Sequence, residues 1–369
     1  MRTTSGPVCR SSVVPPFEPH PLLRGGHVQT VAGRYLPGKT TRLQATYHEL
    51  GLEGGDRLSL LDSVPVGWRS GDPAALLVHG LAGCARSPYV IRLAEWLVRL
   101  GARVVRMNLR GAGSGFGLAR ETYHSGRTED VRAVAEWLAA RAPGSPIALV
   151  GFSLGANLAL KLAAEAAECP VTGLDCVVAA NPPLDLAVCC EHLQRGPNRH
   201  YDRHFLRLLR KDVARLHAAF PDLGPVDLSR ARSLYEFDDL YTAPRNGFVS
   251  AADYYARASA APLVPRITLP GLVLHARDDP FIPPEPFEQV VFPCQLALEL
   301  IPYGGHLGYV SRTPWQGDYR WLDVRLTTWL ADRWSAHTSD RAGAVRDQRN
   351  GDGDRVASEI LQGGVTTHG

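Results

Sequence analysis

Gly151-Phe152-Ser153-Leu154-Gly155 sets a serine between two glycines, after the apolar run Pro146–Val150 and before the alanine-rich stretch Leu154–Ala167. A G-x-S-x-G pattern is weak in isolation and gains meaning from a strand before it and a helix after it. The chain must reverse sharply there, and the glycines flank the point where a Cβ would strike neighbouring backbone. The turn exposes the Ser153 hydroxyl and aims the helix N-terminus, with the Leu154 N–H, at the space beside it, where an oxyanion can be held. The plain alternative is a capping serine in a Gly-Ser turn, which the context disfavours.

A serine hydroxyl is inert without a base. His306 lies in Gly304-Gly305-His306-Leu307-Gly308, just after the apolar run Gln295–Ile301. Near neutral pH its imidazole can take the serine proton and later return it to a leaving group. Asp278 and Asp279 follow the run Gly271–His275. Adjacent side chains point in different directions, so one of the two can face the imidazole. The order serine, acid, histidine, each after a later strand, is the order a nucleophile elbow requires. Val78-His79-Gly80-Leu81 closes the run Ala74–Val78. Gly80 admits close backbone approach, and the Leu81 N–H is the expected second oxyanion donor, worth about 3 kcal/mol in the transition state.

These residues need a scaffold, and the apolar rhythm supplies one. Arg42–Leu50 and Arg57–Ser63 alternate as an opening pair of strands. Buried strands are predicted at Ala74–Val78, Val104–Met107, Pro146–Val150, Leu174–Ala180, Gly271–His275 and Gln295–Ile301. Helices are predicted at Pro88–Leu100, Thr128–Ala140, Leu154–Ala167 and Tyr319–Trp334. This alternation implies an α/β fold with a mostly parallel central sheet and helices on both faces, with chemistry at the carboxyl ends of the strands. The rhythm pauses between Pro182 and Pro265, where His204–Ala218 and Ser250–Ala258 read as helical. The expected organisation is an N-terminal wrapping segment over 1–40, a core over 41–181 and 266–335, a helical cap insertion over 182–265 and a disordered tail over 336–369.

The 369 residues bury a large core, and 45% hydrophobic with 21% charged residues excludes a disordered chain. A net charge of +3 with both signs interspersed gives no stripe for nucleic acid. Seven irregularly spaced cysteines do not read as a disulfide framework. Met1–Pro16 lacks the apolar stretch of a signal peptide, and no run reaches the roughly 20 residues of a membrane span. A cytoplasmic protein is expected, with peripheral membrane contact left open. Gly111–Gly117 is glycine-rich but has Phe116 where a dinucleotide fingerprint needs its last glycine. Cys189, His192, His200 and His204 have a zinc-like spacing, yet arginines are interleaved and no paired cysteines support it. No cofactor or metal is expected. His27 and His124 have no role in this reading beyond packing or hydrogen bonding.

The chain resembles the YheT-like branch of the α/β-hydrolases from about His20 to Trp334. The matching pieces are Arg24-Gly25-Gly26-His27-Val28-Gln29-Thr30, His79-Gly80-Leu81 with Ser87-Pro88-Tyr89, Asn108-Leu109-Arg110-Gly111 and Tyr123-His124-Ser125-Gly126 with Thr128-Glu129-Asp130. Further pieces are Gly151 to Gly155, Asn181-Pro182-Pro183-Leu184-Asp185-Leu186, Phe237-Asp238-Asp239, Ala251-Ala252-Asp253-Tyr254-Tyr255, Asp278-Asp279-Pro280 and Gly304 to Gly308. The resemblance implies a serine hydrolase of carboxylic esters with its triad at Ser153, Asp279 and His306. The spacing Ala276-x-x-Asp279-x-x-Ile282-Pro283 is similar to the acid turn of many α/β-hydrolases and favours Asp279, leaving Asp278 as a turn or capping residue; the reverse assignment stays open. Some relatives act on glycerolipids or phospholipids, and some pass the acyl group to an alcohol. The implied partner is a small-molecule or lipid ester. Several eukaryotic relatives carry an N-terminal membrane anchor that is not expected here. A hydrolase-shaped binding protein without turnover is the remaining alternative, and it predicts a missing triad member.

Overall fold

The structure is a computed structural model that describes residues 14–36, 43–315 and 317–335. The parts of the wrapping segment and of the tail that fall in 1–13, 37–42 and 336–369 lie outside the described residues. Two compact units are present: Val14–Thr327 carries the sheet, the helical layer and the candidate site, and of the other, only the helical residues 328–335 are described.

Eight strands form one sheet: β1 (Thr46–Gly51), β2 (Arg57–Ser63), β3 (Ala74–Val78), β4 (Arg103–Met107), β5 (Ile147–Phe152), β6 (Leu174–Ala180), β7 (Gly271–Ala276) and β8 (Leu296–Ile301). Their order is β1-β2-β4-β3-β5-β6-β7-β8. The pairs β1–β2 and β2–β4 are antiparallel; β3 through β8 run parallel. Every residue of β3, β4, β5 and β7 is buried, as strands covered on both faces must be. The chain leaves β3 through α2 (Pro88–Arg99) to reach β4, then returns through α3 (Thr128–Arg141) to β5 on the other side of β3. Right-handed crossovers in opposite directions put α2 and α3 on opposite faces. The direction reverses between β3 and β5, so a crevice opens beyond their carboxyl ends. α4 (Leu154–Glu165) follows β5 and packs on β5 and β6.

Between β6 and β7 the chain builds a helical layer: α5 (Leu186–Leu193), α6 (Arg199–Ala219), α7 (Leu234–Phe237), a π-turn at Asp238–Thr242, α8 (Ala243–Arg245) and α9 (Ala251–Ala258). These pieces bury their own cluster of Leu186, Leu193, Leu234, Ala243, Tyr254 and Tyr255. α10 (Glu285–Gln289) follows β7, a hairpin of β9 (Val310–Trp315) and β10 (Asp318–Arg320) follows β8, and residues 321–335 are helical.

The apolar runs of the sequence match the strands closely, with β1 beginning at Thr46 rather than Arg42. The long cap helix starts at Arg199, earlier than expected. The N-terminal segment contains a helix the sequence reading did not anticipate, α1 (Gly26–Tyr35). Among the described residues, no helix is long and apolar enough to cross a membrane.

Candidate active site

Ser153 sits at the β5–α4 junction with φ 53° and ψ −122°, a conformation that L side chains rarely adopt. Three close approaches hold it there. A Cβ on Gly151 would lie 2.2 Å from the Gly155 carbonyl oxygen, one on Gly155 would lie 2.4 Å from that of Val78, and one on Gly80 would lie 2.9 Å from the Ser153 Cβ. Gly151 and Gly155 are therefore fixed by backbone contact and Gly80 by the nucleophile's own Cβ, which explains these glycines at the level of atoms.

The Ser153 Oγ lies 2.9 Å from His306 Nε2, and His306 Nδ1 lies 2.8 Å from Asp279 Oδ2. Asp279 is buried, and its Oδ1 accepts from the amides of Phe281 and Ile282 at 2.8 and 3.3 Å. Burial alone would raise its carboxyl. The His306 imidazole and these hydrogen bonds outweigh burial and hold the group below the ordinary aspartate range. The neighbouring carboxylate does a different job: Asp278 Oδ1 accepts from the Gly305 amide at 2.8 Å, and burial pushes that carboxyl up. Of the adjacent pair, Asp279 is the one that meets the imidazole.

The two amides expected beside the hydroxyl have no acceptor among the described residues. Gly80 N donates to the Tyr89 hydroxyl at 3.0 Å and Ala82 N to the Tyr123 hydroxyl at 2.9 Å. Leu81 N lies between them and donates to no group among the described residues. Leu154 N is the first amide of α4, where no intrahelical acceptor exists. Leu81, Ser153 and Leu154 all line one cavity of about 580 Å³ between the sheet and the cap. Its walls include Leu186, Leu193, Phe205, Leu209, Leu216 and Phe237. His79 is buried, with Nδ1 on the Gly80 carbonyl at 2.8 Å and Nε2 accepting from Leu109 N at 3.1 Å. It is a brace for the turn.

Several supporting residues carried no role in the sequence reading. Asn181, at φ 48°, donates to Asp279 Oδ2 at 2.7 Å and to the Gly305 carbonyl at 3.2 Å, and accepts from the Tyr309 hydroxyl at 3.1 Å. The Thr30 hydroxyl accepts from His306 N and donates to the Gly26 carbonyl, at 2.8 and 2.7 Å. Gln29 bonds both backbone groups of Val310. A Cβ on Gly33 would come 2.6 Å from the Gly308 Cα. α1 is thus a strut behind the histidine loop. The motifs around Gly26 and Asn181 signalled these positions, but only contacts distant in sequence disclose what they do.

The other quoted motifs hold the walls. Arg110 pairs twice with Asp130 at 2.8 Å and with Asp56 at 2.7 Å. The Tyr255 hydroxyl donates to Asp238 at 2.6 Å, and Asp239 accepts from Ala251 N at 2.8 Å, which ties α9 to the π-turn. His27 stacks on Tyr201, whose ring meets Phe281, which lies 4.4 Å from the His306 ring. His124 is buried and accepts from Gly126 N at 3.1 Å. The residues with zinc-like spacing diverge: Cys189 is in the core, His192 bonds Asn198, and His200 and His204 are exposed. Among the described residues, no three His, Cys, Asp or Glu groups are placed to share a metal ion. The glycine-rich loop after β4 lines the cavity through Gly111, Ala112, Gly113 and Phe116.

The sheet with its serine elbow at the crevice is the arrangement of the α/β-hydrolases, and residues 73–313 match the family model described as the alpha/beta hydrolase fold. The chain belongs to that family, in its YheT-like branch: YheT of Escherichia coli (strain K12) is 36% identical over 312 residues, 82% of this chain and 89% of that protein. A monoacylglycerol lipase of Saccharomyces cerevisiae is 30% identical over 248 residues, 64% of this chain and 55% of that protein, so the chain spans little more than half of this relative. Among solved structures, 2,6-dihydroxy-pseudo-oxynicotine hydrolase shares the fold with a TM-score of 0.54 at 18% identity, covering 84% of this chain and 72% of that one.

Proposed function

We propose that this chain is a serine hydrolase that cleaves carboxylic esters of apolar acyl groups. One observation carries the reading: an unbroken hydrogen-bonded line from Ser153 through His306 to a buried Asp279, with Leu81 and Leu154, whose amides have no acceptor among the described residues, lining the same cavity. Ser153 Oγ attacks the ester carbonyl as His306 Nε2 takes its proton. Asp279 holds the Nδ1 proton and stabilises the imidazolium. Leu81 N and Leu154 N receive the oxyanion. The proton then passes to the departing alcohol, and a water activated by the same imidazole hydrolyses the acyl-serine. The apolar walls of the cavity favour an acyl chain, with the cap over 182–265 shaping its length. A relative named as a lipase is consistent with a lipid ester.

A chain-length series of p-nitrophenyl esters tests this with wild type and Ser153→Ala. Wild type should turn over medium or long chains better than acetate, and the variant should lose at least about 10⁴-fold in kcat. Fluorophosphonate labelling that persists in Ser153→Ala would remove Ser153 as the nucleophile.

A further inference from the structure

α1 is amphipathic in the reverse of the usual sense. Its inward residues are Gly26, Gln29, Thr30 and Ala32, and the polar pair among them serves the histidine loop. Its outward residues include Val28 at 44% exposure, Val31 at 49% and Tyr35 at 73%. The spacing 28, 31, 35 puts these three on one helical face. Leu22 before the helix is 84% exposed and Leu36 after it 44%. None of the five packs into a hydrophobic cluster of the described residues. Scattered exposed apolar residues are ordinary; an apolar stripe with charge at its rim marks an interaction surface.

The chain segment that carries the stripe has charge of one sign. Arg24 and Arg34 flank it and are exposed, and residues 19–48 contain no Asp or Glu at all. Arg34 also lines the cavity that holds Ser153. The stripe therefore adjoins, at Arg34, the cavity that holds Ser153.

We propose that the outer face of α1 docks on an anionic phospholipid surface and so sets the mouth of the Ser153 cavity against lipid. Ten residues span about 15 Å, which is too little to supply the roughly 1,200 Å² of a stable protein–protein interface. A lipid surface has no such threshold, because a few apolar side chains enter the headgroup boundary while basic neighbours meet phosphate. A two-fold contact with a second copy would instead bring Arg24 and Arg34 against their own kind, and the segment that carries the stripe has no acid to offset them. Docking does not depend on turnover, so it stands or falls separately from the proposed hydrolysis.

The test is sedimentation of full-length Ser153→Ala with vesicles of phosphatidylcholine alone and of phosphatidylcholine mixed with phosphatidylglycerol. Binding should favour the mixed vesicles and weaken with added salt. Val28→Ser with Val31→Ser should reduce that binding about tenfold or more. In the otherwise wild-type chain, the same pair should leave hydrolysis of a soluble short-chain ester unchanged, which shows that the strut behind His306 is intact. Arg24→Glu should weaken binding to mixed vesicles only. Equal sedimentation of the double variant and its parent overturns the proposal. So does a wild-type dimer that the double variant dissociates, which would give the face to a second copy, or an absence of binding to either vesicle.

Discussion

Two adjacent carboxylates divide the work at the end of β7, and their hydrogen bonds give each a distinct expected phenotype. Asp279 meets the imidazole and is held ionised; Asp278 accepts from a loop amide. Asp279→Asn presents an amide where the Nδ1 proton needs an anion, and Asn181 Nδ2, now 2.7 Å from the carboxylate, loses its charged acceptor. Hydrolysis by that variant should fall about 10³–10⁴-fold in kcat. Asp278→Asn retains an oxygen for the Gly305 amide and should stay within about threefold. Comparing kcat for both variants on one ester decides the matter, and equal losses would mean the imidazole is held by something other than Asp279. Gly80→Ala is a second probe at this scale. Its methyl would sit 2.9 Å from the Ser153 Cβ, so the turn or the serine must move. Displacing one oxyanion donor should lower kcat about 10²-fold with little change in thermal stability.

At the scale of elements, α1 connects the least legible part of the sequence to the most consequential loop. Thr30→Val removes the acceptor of the His306 amide and leaves a part-buried donor unpaired, an effect of about 1 kcal/mol. We expect kcat to fall about tenfold with KM nearly unchanged, and Thr30→Ser, which keeps the hydroxyl, to restore it. A loss shared by Val and Ser would assign the effect to packing. The sequence could not announce this helix, because Gln29 and Thr30 face inward and Val28 and Val31 outward, so hydrophobic periodicity points the wrong way. The strands were legible for the opposite reason: β3, β5 and β7 are buried on both faces and read as unbroken apolar runs. Ser153 and His306 stood out because sharp local turns force glycines around them. Asn181, Tyr89 and Tyr123 did not, since each acts through hydrogen bonds to residues far away or in another turn. The short helices α7 and α8 carry too few residues for any period to register.

For the molecule as a whole, the buried ionisable groups predict how stability changes with pH. Burial is the main cause that pushes His79 and His275 down to about 4 and His124 to about 3. In the unfolded chain each imidazole protonates near 6.5. Below that pH the unfolded state binds protons that the folded state refuses, so this stability is complete above about 6.5 and is lost as pH falls toward 4. Asp238 works in the opposite sense. Burial raises its carboxyl to about 6, so near pH 5 the folded state holds a proton that the unfolded state has released. Taken alone, these four groups leave an uptake of about two protons on unfolding near pH 5; burial also raises the carboxyls of Asp202, Asp212, Asp278 and Asp323, which work with Asp238, and lowers His192, which works with the other histidines. Urea unfolding at pH 6 and pH 5 should show a lower midpoint at pH 5 at constant m-value. His275→Leu removes a group stacked on Phe287 in the core and should lower the slope by about one proton. A midpoint that does not move between the two pH values would mean that these histidines gain a proton without unfolding, through water reaching the sheet and the cavity walls.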